Sequence, residues 1–167
     1  MCNTICAKDF SPYFKTSKNG IARVCNGRIH IRGDDTRIGF TAHLRTALQL
    51  RWIRVYRDDE HLPKGEVIWT ELVKAIESSR IAVVVFTRNY ATSKWCMDEL
   101  VKILECKSEF RQKVPPIFYH VRPSEVGEQS GDFVQGNLNG DGEMVNIWRT
   151  ALRKAVKLLS WHLKRDW

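Results

Sequence analysis

The segment Ser93-Lys94-Trp95-Cys96-Met97-Asp98-Glu99-Leu100 sets an indole, a thiol and two carboxylates side by side. It follows the apolar run Ile81–Phe86 and leads into "LVKILEC", a run with helical spacing. An acid where a strand hands over to a helix has two uses. At a helix start it is favoured by the dipole, and on residue type alone that is the simplest use of Asp98 and Glu99. In a water-poor pocket the same carboxylate can manage protons or stabilise a developing cation. Other candidates are weaker. Ser93 has no nearby histidine and reads as a turn or cap residue rather than a nucleophile. Cys96 reads as a buried thiol. Asp58, Asp59 and Glu60 could offer acids to a metal, but in "RDDEHLPKGE", with Pro63 and Gly65 as breakers, they read as a solvated loop. Arg32-Gly33-Asp34 spells an adhesion motif that we treat as chance.

The chain around these residues has 167 residues and is 43% hydrophobic, which suits one domain with a sizeable core. Its longest apolar run, Ile81–Phe86, is too short to span a membrane, and the N-terminus lacks the pattern of a secretory signal. Cys2, Cys6, Cys25, Cys96 and Cys106 are odd in number and show no CxxC spacing. They imply reduced thiols in an intracellular compartment and no zinc site. Residues 1–57 hold 11 Lys/Arg against 3 Asp/Glu, so the formal +8 sits in the first third of the chain. A basic field of this kind attracts phosphates, nucleic acid or acidic partners, although a solvated basic face explains it as well.

Residues 1–24 have little periodicity and read as a poorly ordered extension, leaving 25–167 as the domain. "RIHI" (28–31) is a short strand. A helix follows over 36–50, with Phe40, Leu44, Ala47 and Leu48 as its buried stripe. "WIRVY" (52–56) alternates as a strand does. The next helix, 67–79, turns Ile68, Leu72, Ala75 and Ile76 inward. Ile81–Phe86 has the β-branched composition of a strand buried on both faces of a parallel sheet. Then come a helix from Met97, a strand within "VPPIFYHV" (114–121) and a long helix over 145–161 with Trp148, Leu152, Ala155 and Leu159 on one side. Regular alternation predicts an α/β fold with a parallel sheet and helices on both faces. Ligands bind such sheets at the carboxyl ends of the strands. That rim gathers "RGDDTR", "RDDEHLPKGE" and "TRNYATSKWCMDEL".

The blocks "IRGDDTRIGFTAHLRTAL", "IRVYRDDEHLPKGEVIWTELVKAIESSRIAVVVFTRNYATSKWCMDELVKILECK", "PIFYHVRPSEVGEQSG" and "WRTALRKAVKLLSWHL" are similar to a plant-type TIR (Toll/interleukin receptor) domain, from about Asn26 to Leu163. That similarity implies a flavodoxin-like three-layer sandwich, with a parallel sheet of about five strands flanked by helices, in a TIR-only protein or a fragment of an immune receptor. The resemblance implies cleavage of the nicotinamide–ribose bond of NAD⁺ or NADP⁺, with ADP-ribose or cyclic and variant ADP-ribose as products. It implies Glu99 as the catalytic acid and Ser93 and Trp95 on the ribose side of the pocket. Ile31, Arg32 and Gly33 would line the opposite wall, and a gating loop would carry Asp58, Asp59, Lys64 and Gly65. It also implies self-association into homodimers or tetramers through the first and last helices, with Ala42, His43 and Trp148 as candidates. The dinucleotide is substrate, and no cofactor or metal is expected. The setting is plant innate immune signalling in the cytoplasm, with the nucleus as a second compartment and no membrane partner.

Some residues depart from the family. Cys25–Ile31 lacks its apolar first strand; Arg28 and His30 share one face and Gly27 weakens the run. A buried, unpaired arginine is costly, so this strand is shortened, at an edge, or paired with a partner group. His120 and Arg122 stand where the family usually has acids. "GDFVQGNLNGDG" (131–142) is short, so a helix and the last strand there are expected to be reduced. These departures motivate a second reading, a non-catalytic TIR adaptor. A third is nucleic-acid binding or 2′,3′-cyclic-nucleotide formation.

Overall fold

The computed structural model describes residues 28–32, 39–50, 54–56, 66–134 and 137–163. The extension 1–24, Gly33 and the loop residues Asp58, Asp59, Lys64 and Gly65 lie outside them. For Ile31 and Arg32 the backbone alone is described.

The sheet is organised by β3 (Ser79–Phe86), in which every residue but Arg80 is buried. Its β-branched side chains suit a strand covered on both faces. β1 (Arg28–Arg32) and β4 (Pro116–Phe118) flank it, and β2 (Arg54–Tyr56) lies outside β1, giving the order β2-β1-β3-β4. Every pairing is parallel. The connecting helices are α1 (Phe40–Gln49), α2 (Glu66–Glu77) and α3 (Lys94–Phe110). After β4 come a short α4 (Pro123–Glu128), a 3₁₀ turn (Gly131–Val134) and the long α5 (Glu143–Leu163).

One expectation is corrected here and another narrowed. Among the described residues the sheet has four strands rather than about five. Between α4 and α5 the described residues hold no strand, only the 3₁₀ turn, in keeping with the reduced last strand expected over 131–142. Of the three alternatives for β1, the edge position is excluded: the strand is central, paired with β2 and β3, with its register shifting between Arg28 and Ile29. A central strand has its backbone groups paired by both neighbours whatever its side chains are.

Alternation along β3 separates two cores. Ala82, Val84 and Phe86 join Leu72 and Ile76 of α2, Met97, Leu100 and Ile103 of α3, and Trp148, Leu152 and Ala155 of α5. Ile81, Val83 and Val85 join Leu44 and Leu48 of α1, with Phe40, Val55, Ile117 and Tyr119 at the margin. Thus α1 covers one face, and α2, α3 and α5 the other. The first and last helices, expected to pair TIR domains, therefore pack on opposite faces of the sheet. Trp148, expected at the pairing surface, is 4% exposed and belongs to the core.

Polar locks hold the frame. Gln112, which follows α3, is buried, and its amide donates to the carbonyls of Ile76 (2.7 Å) and Ser79 (2.8 Å). It bridges the end of α2 and the start of β3. At α4, the Glu125 carboxylate accepts from the Arg122 backbone N–H (2.7 Å) and guanidinium (3.0 Å). That pairing holds the Glu125 carboxyl below its usual range, with Arg88 adding a smaller pull.

Two predictions follow from these locks. Gln112→Ala strands two buried carbonyls and should cost about 1–3 kcal/mol; an unchanged urea midpoint would refute the bridge. Because the folded carboxyl of Glu125 is depressed, its contribution is present at neutral pH and is lost as pH falls below the ordinary carboxylate value of about 4.3. Glu125→Gln should therefore melt lower than wild type at pH 7 and converge with it in acid. A constant difference across the titration would show that the pairing is not what stabilises α4.

Candidate functional site

The register aligns Ile31 with Val83 and Arg32 with Val84, so β1 and β3 end along one rim. From that rim the chain leaves β3 at Thr87 and makes a 3₁₀ turn (Tyr90–Thr92) before entering α3. The turn is pinned from several sides. The Tyr90 hydroxyl donates to the Cys96 carbonyl (3.1 Å), and Asn137 donates to the carbonyls of Thr92 (2.8 Å) and Ala91 (3.4 Å). Ser93 is the N-cap, its hydroxyl accepting from the Cys96 N–H (3.3 Å). That is the capping role expected of a serine at this position.

With the cap at Ser93, α3 begins at Lys94, three residues before the helix start expected from the sequence. Glu99 therefore falls in the second turn, beyond the stretch where the dipole favours an acid. It is also 0% exposed. Burial of a carboxylate costs several kcal/mol unless it is held, and Glu99 is not left without a partner. Placement and burial together remove the simple helix-start explanation. Trp95 lies four residues earlier, one turn away on the same side of the helix. It is half-buried.

Asp98, the neighbouring acid, does something different. Its Oδ1 accepts from the indole N–H of Trp148 at 2.9 Å, tying α3 to α5. Adjacent positions on a helix point about 100° apart, so one acid braces the helix packing while the other is turned into the core. On α1, His43 is exposed and Ala42 half-buried. Beyond β4, His120 is exposed and sits at positive φ, with its carbonyl accepting from Arg88 Nε (3.1 Å). Burial pushes the Cys106 thiol up, which keeps it protonated and unreactive.

The structure also brings in a residue that sequence reading passed over. Trp69 of α2 meets Trp95 edge to face, with ring centroids 5.3 Å apart and planes at 82°. Its signal was available: Trp69, Leu72 and Ile76 fall at the i, i+3, i+7 positions of one stripe. Among the described residues no cluster of His, Cys, Asp and Glu could hold a metal, and no helix is long and apolar enough to cross a membrane.

The family profile described as "TIR domain" matches residues 28–166. Two disease resistance proteins of Vitis rotundifolia are similar to the chain. RPV1 is 50% identical over 141 residues, covering 83% of the chain and 10% of the relative. RUN1 is 50% identical over 143 residues, covering 81% and 11%. TMV resistance protein N of Nicotiana glutinosa is 46% identical over 136 residues, covering 78% and 12%. The chain thus spans 10–12% of the length of these curated relatives. Among solved structures, the TIR domains of the activated Roq1 resistosome superpose with a TM-score of 0.69 at 39% identity. That match covers 84% of the chain and 99% of the neighbour. A parallel sheet in the order β2-β1-β3-β4, a buried glutamate on the helix that leaves its central strand, and these matches lead to one conclusion: the chain belongs to the TIR domain family.

Proposed function

We propose that this TIR domain cleaves the bond between nicotinamide and ribose in NAD⁺ or NADP⁺, as a signalling enzyme of plant innate immunity. The observation that carries the reading is the placement of Glu99. It lies in the second turn of the helix leaving the central strand, fully buried, one turn from Trp95. The similar curated proteins are disease resistance proteins.

The chemistry suits such a carboxylate. As the C–N bond breaks, its electron pair leaves with nicotinamide and the ribose becomes an oxocarbenium ion. A fixed anion near the ribose hydroxyls favours that cation over the neutral-ribose ground state. Water then adds to the anomeric carbon and loses a proton to give ADP-ribose; attack by a group of the same nucleotide gives a cyclic product. Trp95 and Ser93 would bound the ribose side. Ile31, Arg32 and Gly33 would form the facing wall, and the loop holding Asp58, Asp59, Lys64 and Gly65 would gate it. NAD⁺ or NADP⁺ is the substrate and no cofactor takes part. The proposed setting is the cytoplasm, with the nucleus as a second site.

Glu99 reaches no solvent in this conformation. A substrate meets its carboxylate only after the side chains over it move, and assembly is the event we propose to drive that motion. One matching solved structure is that of an activated resistosome. The exposed side of α1, with His43 and the margin of Ala42, is the surface proposed for self-association. The same burial favours a second reading, a non-catalytic TIR adaptor in which Glu99 is structural.

Three variants separate these readings, with nicotinamide release followed by chromatography at high protein concentration. Glu99→Gln should lower release by at least about a hundredfold, the order of losing one electrostatic contact to the transition state, while the melting temperature changes little. Asp98→Ala should do the reverse: lose about 1.5–3 kcal/mol of stability with its bond to Trp148 and retain turnover per folded molecule. His43→Glu should lower association and release together. Equal release by wild type and Glu99→Gln would remove the assigned catalyst. A wild type that assembles yet releases no nicotinamide would establish the adaptor reading.

A further inference from the structure

We propose that Trp69 is a positioning residue for the substrate wall, holding the Trp95 ring in the orientation in which it receives the dinucleotide. This rests on the NAD⁺-cleaving reading and adds to it a residue on a different helix.

The argument starts from where Trp95 stands. It is the second residue of α3. A helical side chain leans toward the N-terminus and covers the turn before its own Cα. For Trp95 no helical turn precedes it; there is the Ser93 cap and, before that, the 3₁₀ turn. Its own helix therefore cannot fix the ring, and the support must come from another element. Trp69 supplies it. In a parallel α/β sheet each helix starts where the preceding strand ends, so α2 and α3 both begin at the rim where β1 and β3 finish. Trp69 is the fourth residue of α2, at that end of the helix.

The contact is built rather than incidental. Trp69 continues the buried stripe of Leu72 and Ile76, both 0% exposed, so its backbone is fixed by the core. Its ring meets Trp95 at 5.3 Å and 82°, the edge-to-face arrangement in which the positive rim of one indole faces the negative face of the other. Both indoles are half-buried, packed against the core yet not sealed within it. One turn on from Trp95 is Glu99. A shift of Trp95 would therefore displace the wall beside the carboxylate without touching the carboxylate itself. Loss of Trp69 should weaken substrate binding while leaving bond cleavage intact.

The test uses the full chain in two measurements. Two indoles in edge contact couple their far-ultraviolet transitions and give an exciton couplet in circular dichroism. Trp69→Phe and Trp95→Phe should remove the same couplet; if Trp69→Phe leaves it unchanged, the rings do not meet in solution and the proposal fails. The second measurement is steady-state NAD⁺ cleavage. Trp69→Ala should raise KM about two- to tenfold, the range set by the strength of an aromatic pair, with kcat unchanged. Trp69→Phe, which keeps a ring against Trp95, should restore most of KM. A merely structural role would lower the active fraction, and so kcat and the melting temperature, with KM unmoved; that result overturns the proposal. An active wild type whose KM ignores Trp69 overturns the role of Trp69 alone. A wild type that neither cleaves nor binds NAD⁺ overturns both this inference and the reaction on which it rests.

Discussion

Burial of β3 on both faces is the constraint from which the rest of the molecule follows. A strand covered on both sides cannot leave a backbone amide unpaired, so it needs a strand on each flank, which β1 and β4 supply. Its side chains must be apolar in both directions, and Ile81–Phe86 meets that demand without interruption. Two separate cores are the consequence, one on each face, each requiring its own helices. The parallel pairing then forces every connection to cross from one end of the sheet to the other. The carboxyl ends of the described strands are thereby gathered at a single rim.

The site inherits its geometry from this arrangement. The turn after β3 is held by Tyr90 and Asn137 and closed by the Ser93 cap, so the start of α3 is set by hydrogen bonds rather than by loop preference. Once the start is fixed, helical rotation decides the rest. Cys96, Met97, Glu99 and Leu100 turn inward, and Asp98 turns toward α5. A glutamate among apolar side chains is unfavourable for folding. Functional sites are where proteins carry such costs. Gln112 is another polar side chain buried in this frame, and its two donated bonds make it a structural brace.

How much of this was legible beforehand depended on whether a feature is local. The stripe Leu44 and Leu48, the stripe Leu72 and Ile76, and the run Ile81–Phe86 could be read directly, because hydrophobic period reports burial wherever one element faces one core. The start of α3 was misjudged by three residues because "SKW" has no apolar period; the cap that begins the helix is a single hydroxyl bond. The six-residue α4 carries too few residues to show a period at all. The chain's departures in β1 left a shortened strand, an edge strand and a paired one as alternatives, since Arg28 and His30 look unsuited to a central position. Backbone pairing from both neighbours overrode that propensity.

The sequence by itself determined the α/β class and the parallel sheet, and through the family resemblance of its motifs it singled out Glu99 as the acid to test. All of these follow from residue order and period, or from motifs continuous in the chain. Tertiary structure alone decided which partners distant residues meet. It sent α1 and α5 to opposite faces of the sheet and drew Trp148 from a supposed surface into the core, with its indole on Asp98. It also set Trp69 against Trp95 across two helices. No period along one segment can report such pairings, because they depend on how separate helices are rotated and docked. That is settled only when all of them compete for the same two faces of β3.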